Sequence, residues 1–329
     1  TGLGRARATR VLNDLGLPAV GLARADSVTN EVWMTAEHVV RLNRTVSPRL
    51  HREALLGQRL GPAVGYPPMI QHGGGAGDDW LVMERVPGRP LSRCWPSMSM
   101  AERRSAISDL AGRLRAVHAT VSPALGDLSD IPQLLDPSAT GAGAVARLLV
   151  AIDAAARLPG VDRGVTADAA ALVRTSADAL EPFDAPTLVH GDLTFENVLW
   201  HDGEVTALLD FEYSRPGVPD LDLDILMRFV ALPQLHVADD YEHLTNAADY
   251  VEVPWWLAED YPELFAHPRQ MDRMRIYSLA WDVRELLAFP PRTAIRDLHP
   301  EHPYRRLVRV LSGTSYLDDL NRTAAVPTD

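Results

Sequence analysis

Two short apolar runs with acids and an amide at fixed places constrain this chain more than any other feature. The first is Val189-His190-Gly191-Asp192-Leu193-Thr194-Phe195-Glu196-Asn197-Val198-Leu199. The second, Ala207-Leu208-Leu209-Asp210-Phe211-Glu212, follows the turn His201-Asp202-Gly203-Glu204. The spacing predicts a strand that delivers Asp192 and a hairpin return that delivers Asp210. Four polar residues at matched spacing between apolar strands are more than the decoration of a turn.

Composition removes whole classes of function. With 329 residues the chain is long enough for two modest lobes with sizeable cores. No apolar run approaches the length needed to span a bilayer, and the first residues lack the apolar stretch of a signal peptide. Cys94 stands alone, which excludes a disulfide framework and points to a reducing cytoplasm. A net charge of −12 argues against a nucleic-acid binder and is compatible with a cationic substrate. All 32 basic residues are Arg. A standard Walker A loop, which needs Lys on the phosphates, is therefore excluded.

Along the chain the texture changes once. Residues 5–15 read as a helix stopped near Gly16 and Pro18. Strand-like runs follow at Glu31–Thr35 and His38–Leu42, joined at Ala36-Glu37, and again near Met69 and at Trp80–Glu84. Between them Leu50–Leu60 has helical periodicity. Pro87-Gly88 marks a boundary, giving expected segments of 1–86 and 87–329. Beyond residue 98 the pattern is helical. A capping box, Ser99 with Glu102, opens the first helix, and further helices are expected at 144–157, 167–181, 221–231, 239–249, 269–288 and 303–312.

The acids suit phosphoryl transfer from a nucleotide, which needs a divalent cation on the phosphates and a group to orient the attacking hydroxyl. Hard cations take oxygen ligands, so Asn197 and Asp210 suit Mg2+, and Asp192 remains for the acceptor hydroxyl. HGDLTFEN followed by LDFE resembles the catalytic loop and metal-binding motif of the aminoglycoside phosphotransferase family, relatives of the protein kinases. The resemblance is specific over residues 189–224. It implies an α+β, bilobal protein-kinase-like fold: an N-terminal antiparallel sheet lobe with one helix binds the nucleotide, and a larger, mostly helical C-terminal lobe is catalytic. It further implies that Asp192 is the catalytic base, that Asn197 and Asp210 bind Mg2+, that His190 is structural, and that Glu212 replaces a glycine and reaches toward a second metal. Asp222 falls where the family supports its catalytic loop.

By the same resemblance Ser27, Thr29 and Asn30 form the phosphate-covering turn, and the backbone near Glu84 and Val86 is the hinge for the base of ATP or GTP. Kinases carry a Lys on the third strand, paired with a helix Glu. Here that position is Arg41, with Glu53 as partner, and Arg is not an equivalent cation. Three consequences stay open: a repositioned triphosphate in an active enzyme, another nucleotide preference, or weak catalysis. The first is favoured because the acidic set is intact. The implied acceptor is a hydroxylated small molecule, an aminoglycoside or other antibiotic by default, with a metabolite or peptide hydroxyl as alternatives. A catalytically weak or inactive kinase-like scaffold is the contrasting class. Asp272, Asp282 and Glu285 could face a cationic acceptor, although a solvated helix face is the preferred reading. His299 and His302 have metal-like spacing, but prolines make that segment a loop. Nothing in the sequence sets the oligomeric state.

Overall fold

The structure, a computed structural model, describes residues 2–25, 27, 30–75, 77–123, 125, 133–136, 139–181 and 187–318. The chain forms two compact units. One comprises Thr1–Ile131, Thr187–Pro216 and Leu232–Tyr261; the other comprises Pro132–Pro186, Gly217–Ala231 and Pro262–Asp329.

In the first unit, α1 (Gly2–Asp14) precedes the strands β1 (Ala23–Ala25), β2 (Glu31–Met34) and β3 (His38–Leu42). Helix α2 (Arg49–Gly57) then leads to β4 (Met69–Gly73) and β5 (Trp80–Glu84). The five strands form an antiparallel sheet in the order β1-β2-β3-β5-β4. The period of two divides their side chains between two cores. Val40, Leu42 and Val82 pack with Ala8, Val11 and Leu12 of α1. Leu81 and Met83 pack with Leu50 and Ala54 of α2, with Val39 against them. This alternation puts Arg41 on the α2 face, where Glu53 sits beside Ala54.

The same unit continues through β6 (Arg89–Pro90), α3 (Leu91–Cys94) and α4 (Met100–His118). Ser99 and Glu102 make the expected capping box. After the second unit's first segment come β7 (Leu188–Val189), β8 (Val198–His201), β9 (Glu204–Leu208) and β10 (Arg215–Pro216). Strands β8 and β9 pair as a hairpin with His201 opposite Glu204. Its two loop residues, Asp202 and Gly203, have φ of 48° and 90°, the backbone a tight primed turn requires. Trp95, fully buried, stacks on Tyr250 at 5.4 Å and meets Phe195 at 4.9 Å. Its indole N–H donates to Asp249 O at 2.7 Å. Phe195 belongs to the Asp192–Asn197 loop, so this aromatic stack forms the loop's floor.

The second unit is helical: α5 (Ala146–Ala155), α6 (Arg163–Ser176), α7 (Asp220–Ala231), α9 (Gln270–Ala288) and α10 (Pro303–Ser312), while α8 (Val253–Asp260) belongs to the first. Two expectations shift. The helix expected at 167–181 starts at Arg163, because the Asp162 carboxylate accepts the Gly164 N–H at 2.7 Å. The helix expected at 239–249 is two short 3-10 turns, Glu242–Leu244 and Ala247–Tyr250. Asn246 between them is extended and caps the second turn from its side chain, which breaks a continuous helix.

Truncating Trp95 removes the floor under the Asp192 loop. Trp95→Ala is expected to lower stability by about 3–5 kcal/mol, measured by urea unfolding.

Candidate active site

The loop after β7 is held from both sides. β7 pairs with β10, Val189 opposite Arg215, and Ser214 Oγ donates to His190 O at 2.8 Å. His190 is fully buried. Its Nε2 lies 2.8 Å from Leu209 O, and its Nδ1 accepts the Asp192 N–H at 3.3 Å. These partners assign the proton to Nε2. His190 therefore joins the Asp192 loop to the segment that carries Asp210. Gly191 has φ of 82°, and a Cβ there would collide with the Tyr213 carbonyl oxygen. No larger residue fits.

Asn197 closes the loop on itself. Its Nδ2 donates to Asp192 O at 2.8 Å and to Asp192 Oδ2 at 3.3 Å, and its carbonyl accepts the Leu209 N–H at 2.8 Å. The residue after Leu209, Asp210, has left-handed backbone, φ 65° and ψ 61°. That conformation is rare for a residue with a Cβ and costs about 1 kcal/mol or more. It brings the carboxylate to Arg41.

Arg41 is the hub of the site. Its Nη1 lies 2.7 and 2.6 Å from the two oxygens of Glu53. Its Nη2 lies 2.7 Å from Asp210 Oδ1 and 3.2 Å from Glu212 Oε2. Glu53 and Glu212 are fully buried. Burial alone would depress the Arg41 guanidinium's pKa, but Asp210, then Glu53 and Glu212, outweigh it and raise it. Its partner Glu53 is drawn the other way, toward the neutral form. Burial pushes that carboxyl up to about 7 against the pull of Arg41, with Asp210 and Glu212 adding to the rise. The rise at Arg41 follows from three carboxylates sharing one guanidinium, and the rise at Glu53 from burial first, then from its two acidic neighbours.

The structure brings Arg41, Glu53, Asp210 and Asn30 into one network, because Asn30 Nδ2 donates to Glu212 Oε2 at 2.6 Å. Ser27 Oγ donates to Asn30 O, and Thr29 lies outside the described residues. Glu84 and Val86 stand apart from the network. The Glu84 N–H is taken by Pro68 O at 2.9 Å, whereas no hydrogen bond reaches the Val86 N–H among the described residues. Three contributors lie outside the expected set. Tyr66 OH donates to Glu53 Oε1 at 3.2 Å, Arg52 Nε to Glu212 O at 2.8 Å, and Arg49 Nη1 to Tyr213 OH at 2.8 Å. The adjacent Arg52 and Glu53, between Leu50 and Leu56 on a short amphipathic helix, are the legible signal. Of the three acids considered for a cationic acceptor, Asp282 is buried against Arg228 and Arg306. Asp272 pairs with Arg269 and Glu285 with Arg284.

The donor set fits a hard divalent cation. Asn197 uses its amide nitrogen toward Asp192, which leaves Oδ1 as an acceptor. Asp210 has one oxygen on Arg41 and a partly exposed side chain. Oxygens of Glu53, Asp210 and Glu212 also lie within 4.8 Å of one another, although here they converge on a guanidinium.

The model of the phosphotransferase enzyme family (APH) matches residues 23–256. The chain belongs to that family, the one its motifs resemble, and is a phosphotransferase. No curated protein matches it significantly. Among solved structures, a choline/ethanolamine kinase family protein from Mesorhizobium loti superposes with a TM-score of 0.61 at 18% identity, over 98% of this chain and 99% of that one. ADP-bound aminoglycoside phosphotransferase APH(2'')-Ib gives 0.59 at 14%, over 95% and 98%. A thermostable mutant of aminoglycoside phosphotransferase APH(4)-Ia, in a ternary complex with ADP and hygromycin B, gives 0.54 at 15%, over 97% and 99%. These likenesses carry the kinase-like α+β fold. Among the described residues, no helix is long and apolar enough to cross a membrane.

Gly191→Ala is expected to destabilise the protein by about 1–3 kcal/mol, read by urea unfolding, because both its backbone and its space forbid a Cβ.

Proposed function

We propose that this enzyme transfers the γ-phosphoryl group of ATP or GTP to a hydroxyl of a small molecule. The carrying observation is that Asn197 bonds both the backbone and the carboxylate of Asp192 while its own carbonyl holds Leu209, the residue before Asp210. Base and cation ligands are thereby tied into one rigid unit. In this reading Asp192 orients the acceptor hydroxyl and takes its proton. Asn197 and Asp210 hold Mg2+, which neutralises phosphate charge when bound. Arg41 with Glu53 orients the phosphates, Ser27, Thr29 and Asn30 cover them, and the backbone at Glu84 and Val86 meets the base. Residues 1–86 act as the nucleotide lobe and 87–329 as the catalytic and acceptor lobe.

The default acceptor is an aminoglycoside or another hydroxylated antibiotic, supported by structural neighbours whose complexes contain hygromycin B and streptomycin. Resistance would follow from that chemistry, and a cytoplasmic location from the single cysteine. An amino-alcohol metabolite is the competing acceptor, supported by the choline/ethanolamine kinase family neighbour. A nucleotide-holding protein without turnover is the second reading, favoured by one observation: both terminal nitrogens of Arg41 are engaged by carboxylates.

The deciding assay is Mg2+-dependent nucleotide consumption against aminoglycosides, other hydroxylated antibiotics, choline and ethanolamine. Wild type is expected to turn over with at least one acceptor, and Asp192→Asn to lose about 10²–10⁴-fold in kcat with nucleotide binding kept. Nucleotide binding without turnover across the panel would favour the second reading.

A further inference from the structure

Resting on the phosphotransferase reading, we propose that Glu212 is a positioning residue for Arg41, and that its role is to keep Arg41 from closing on both oxygens of Asp210. Arginine differs from lysine in having a planar fork, and its preferred partner geometry is two parallel N–H···O bonds to one carboxylate. In this site the fork does not adopt that geometry with Asp210. Nη1 is spent on Glu53, at 2.7 and 2.6 Å. Nη2 divides between Asp210 Oδ1 at 2.7 Å and Glu212 Oε2 at 3.2 Å. Asp210 Oδ2 consequently accepts no hydrogen bond among the described residues.

Glu212 is committed to this task from every side. The residue is fully buried. Its Oε2 takes the Asn30 Nδ2 at 2.6 Å as well as Arg41. Its Oε1 faces Arg49 at 3.8 Å, and Arg52 Nε holds its backbone carbonyl at 2.8 Å. A carboxylate so enclosed has its place fixed by cations and an amide of this chain. Arg41 is one of the groups that offset the cost of burying it. Without Glu212, one Nη2 proton is left buried and unsatisfied. The remaining acceptor is Asp210 Oδ2, the oxygen that a divalent cation at Asp210 requires.

The test compares wild type with Glu212→Gly, Arg41→Lys, the double variant and Glu212→Gln. Mn2+ binding is read by electron paramagnetic resonance, and fold is checked by circular dichroism. Glu212→Gly is expected to weaken Mn2+ binding about tenfold, and the double variant to recover to within about threefold of wild type, since a lysine held by Glu53 has no second nitrogen to close on Asp210. Glu212→Gln, which keeps an acceptor for Nη2, is expected to stay within about threefold. Equal weakening by Glu212→Gly in the Arg and Lys backgrounds would overturn the inference and make Glu212 act on the cation itself. If wild type binds neither Mn2+ nor Mg2+-nucleotide, the phosphotransferase reading fails on its own. Melting temperatures of the same proteins then still decide the pairing: non-additive losses uphold it and additive losses overturn it.

Discussion

One guanidinium shared by three carboxylates holds this site together. Arg41 comes from β3, Glu53 from α2, and Asp210 and Glu212 from the segment after β9, so a single planar group joins three pieces of chain. Removing one partner of a buried ion pair costs about 3–5 kcal/mol, because the charge left behind stays buried. The sheet register serves this arrangement. Val39 and Arg41 alternate with Val40 and Leu42 along β3. A one-residue slip would send Arg41 into the α1 core and leave Glu53 without its cation.

Around the hub, the Asp192 loop and the Asp210 segment are bound to each other at three points: the β7–β10 pair, the His190 ring against Leu209, and Asn197 against the same residue. The left-handed backbone of Asp210 follows directly on Leu209, which two of these contacts hold. Preorganisation of this kind is what the proposed chemistry demands. Phosphoryl transfer depends on position and electrostatics far more than on covalent help from the protein.

The parts of the site that lie close together along the chain are legible in the amino-acid sequence. Asp192 and Asn197 stand just before one hairpin and Asp210 just after it, so their spacing puts them at its open end. Arg41 and Glu53 are readable as a pair because strand and helix periodicities each present one face. The bond between Asn30 and Glu212 spans 182 positions and leaves no local trace. Tyr66 is likewise silent in sequence, since an aromatic in a turn reads as core until its hydroxyl is seen on Glu53. At 239–249 the pattern misleads for the opposite reason: Asn246 offers the backbone a local cap that outweighs weak helical periodicity.

The most direct measurement is a crystal structure of the protein with Mg2+ and a non-hydrolysable ATP analogue. It should show the cation about 2.0–2.1 Å from an oxygen of Asp210 and from Asn197 Oδ1, with the triphosphate against Arg41. A nucleotide seated elsewhere, or phosphates held with no cation at Asp210, would contradict the proposal that this carboxylate cluster is the seat of phosphoryl transfer.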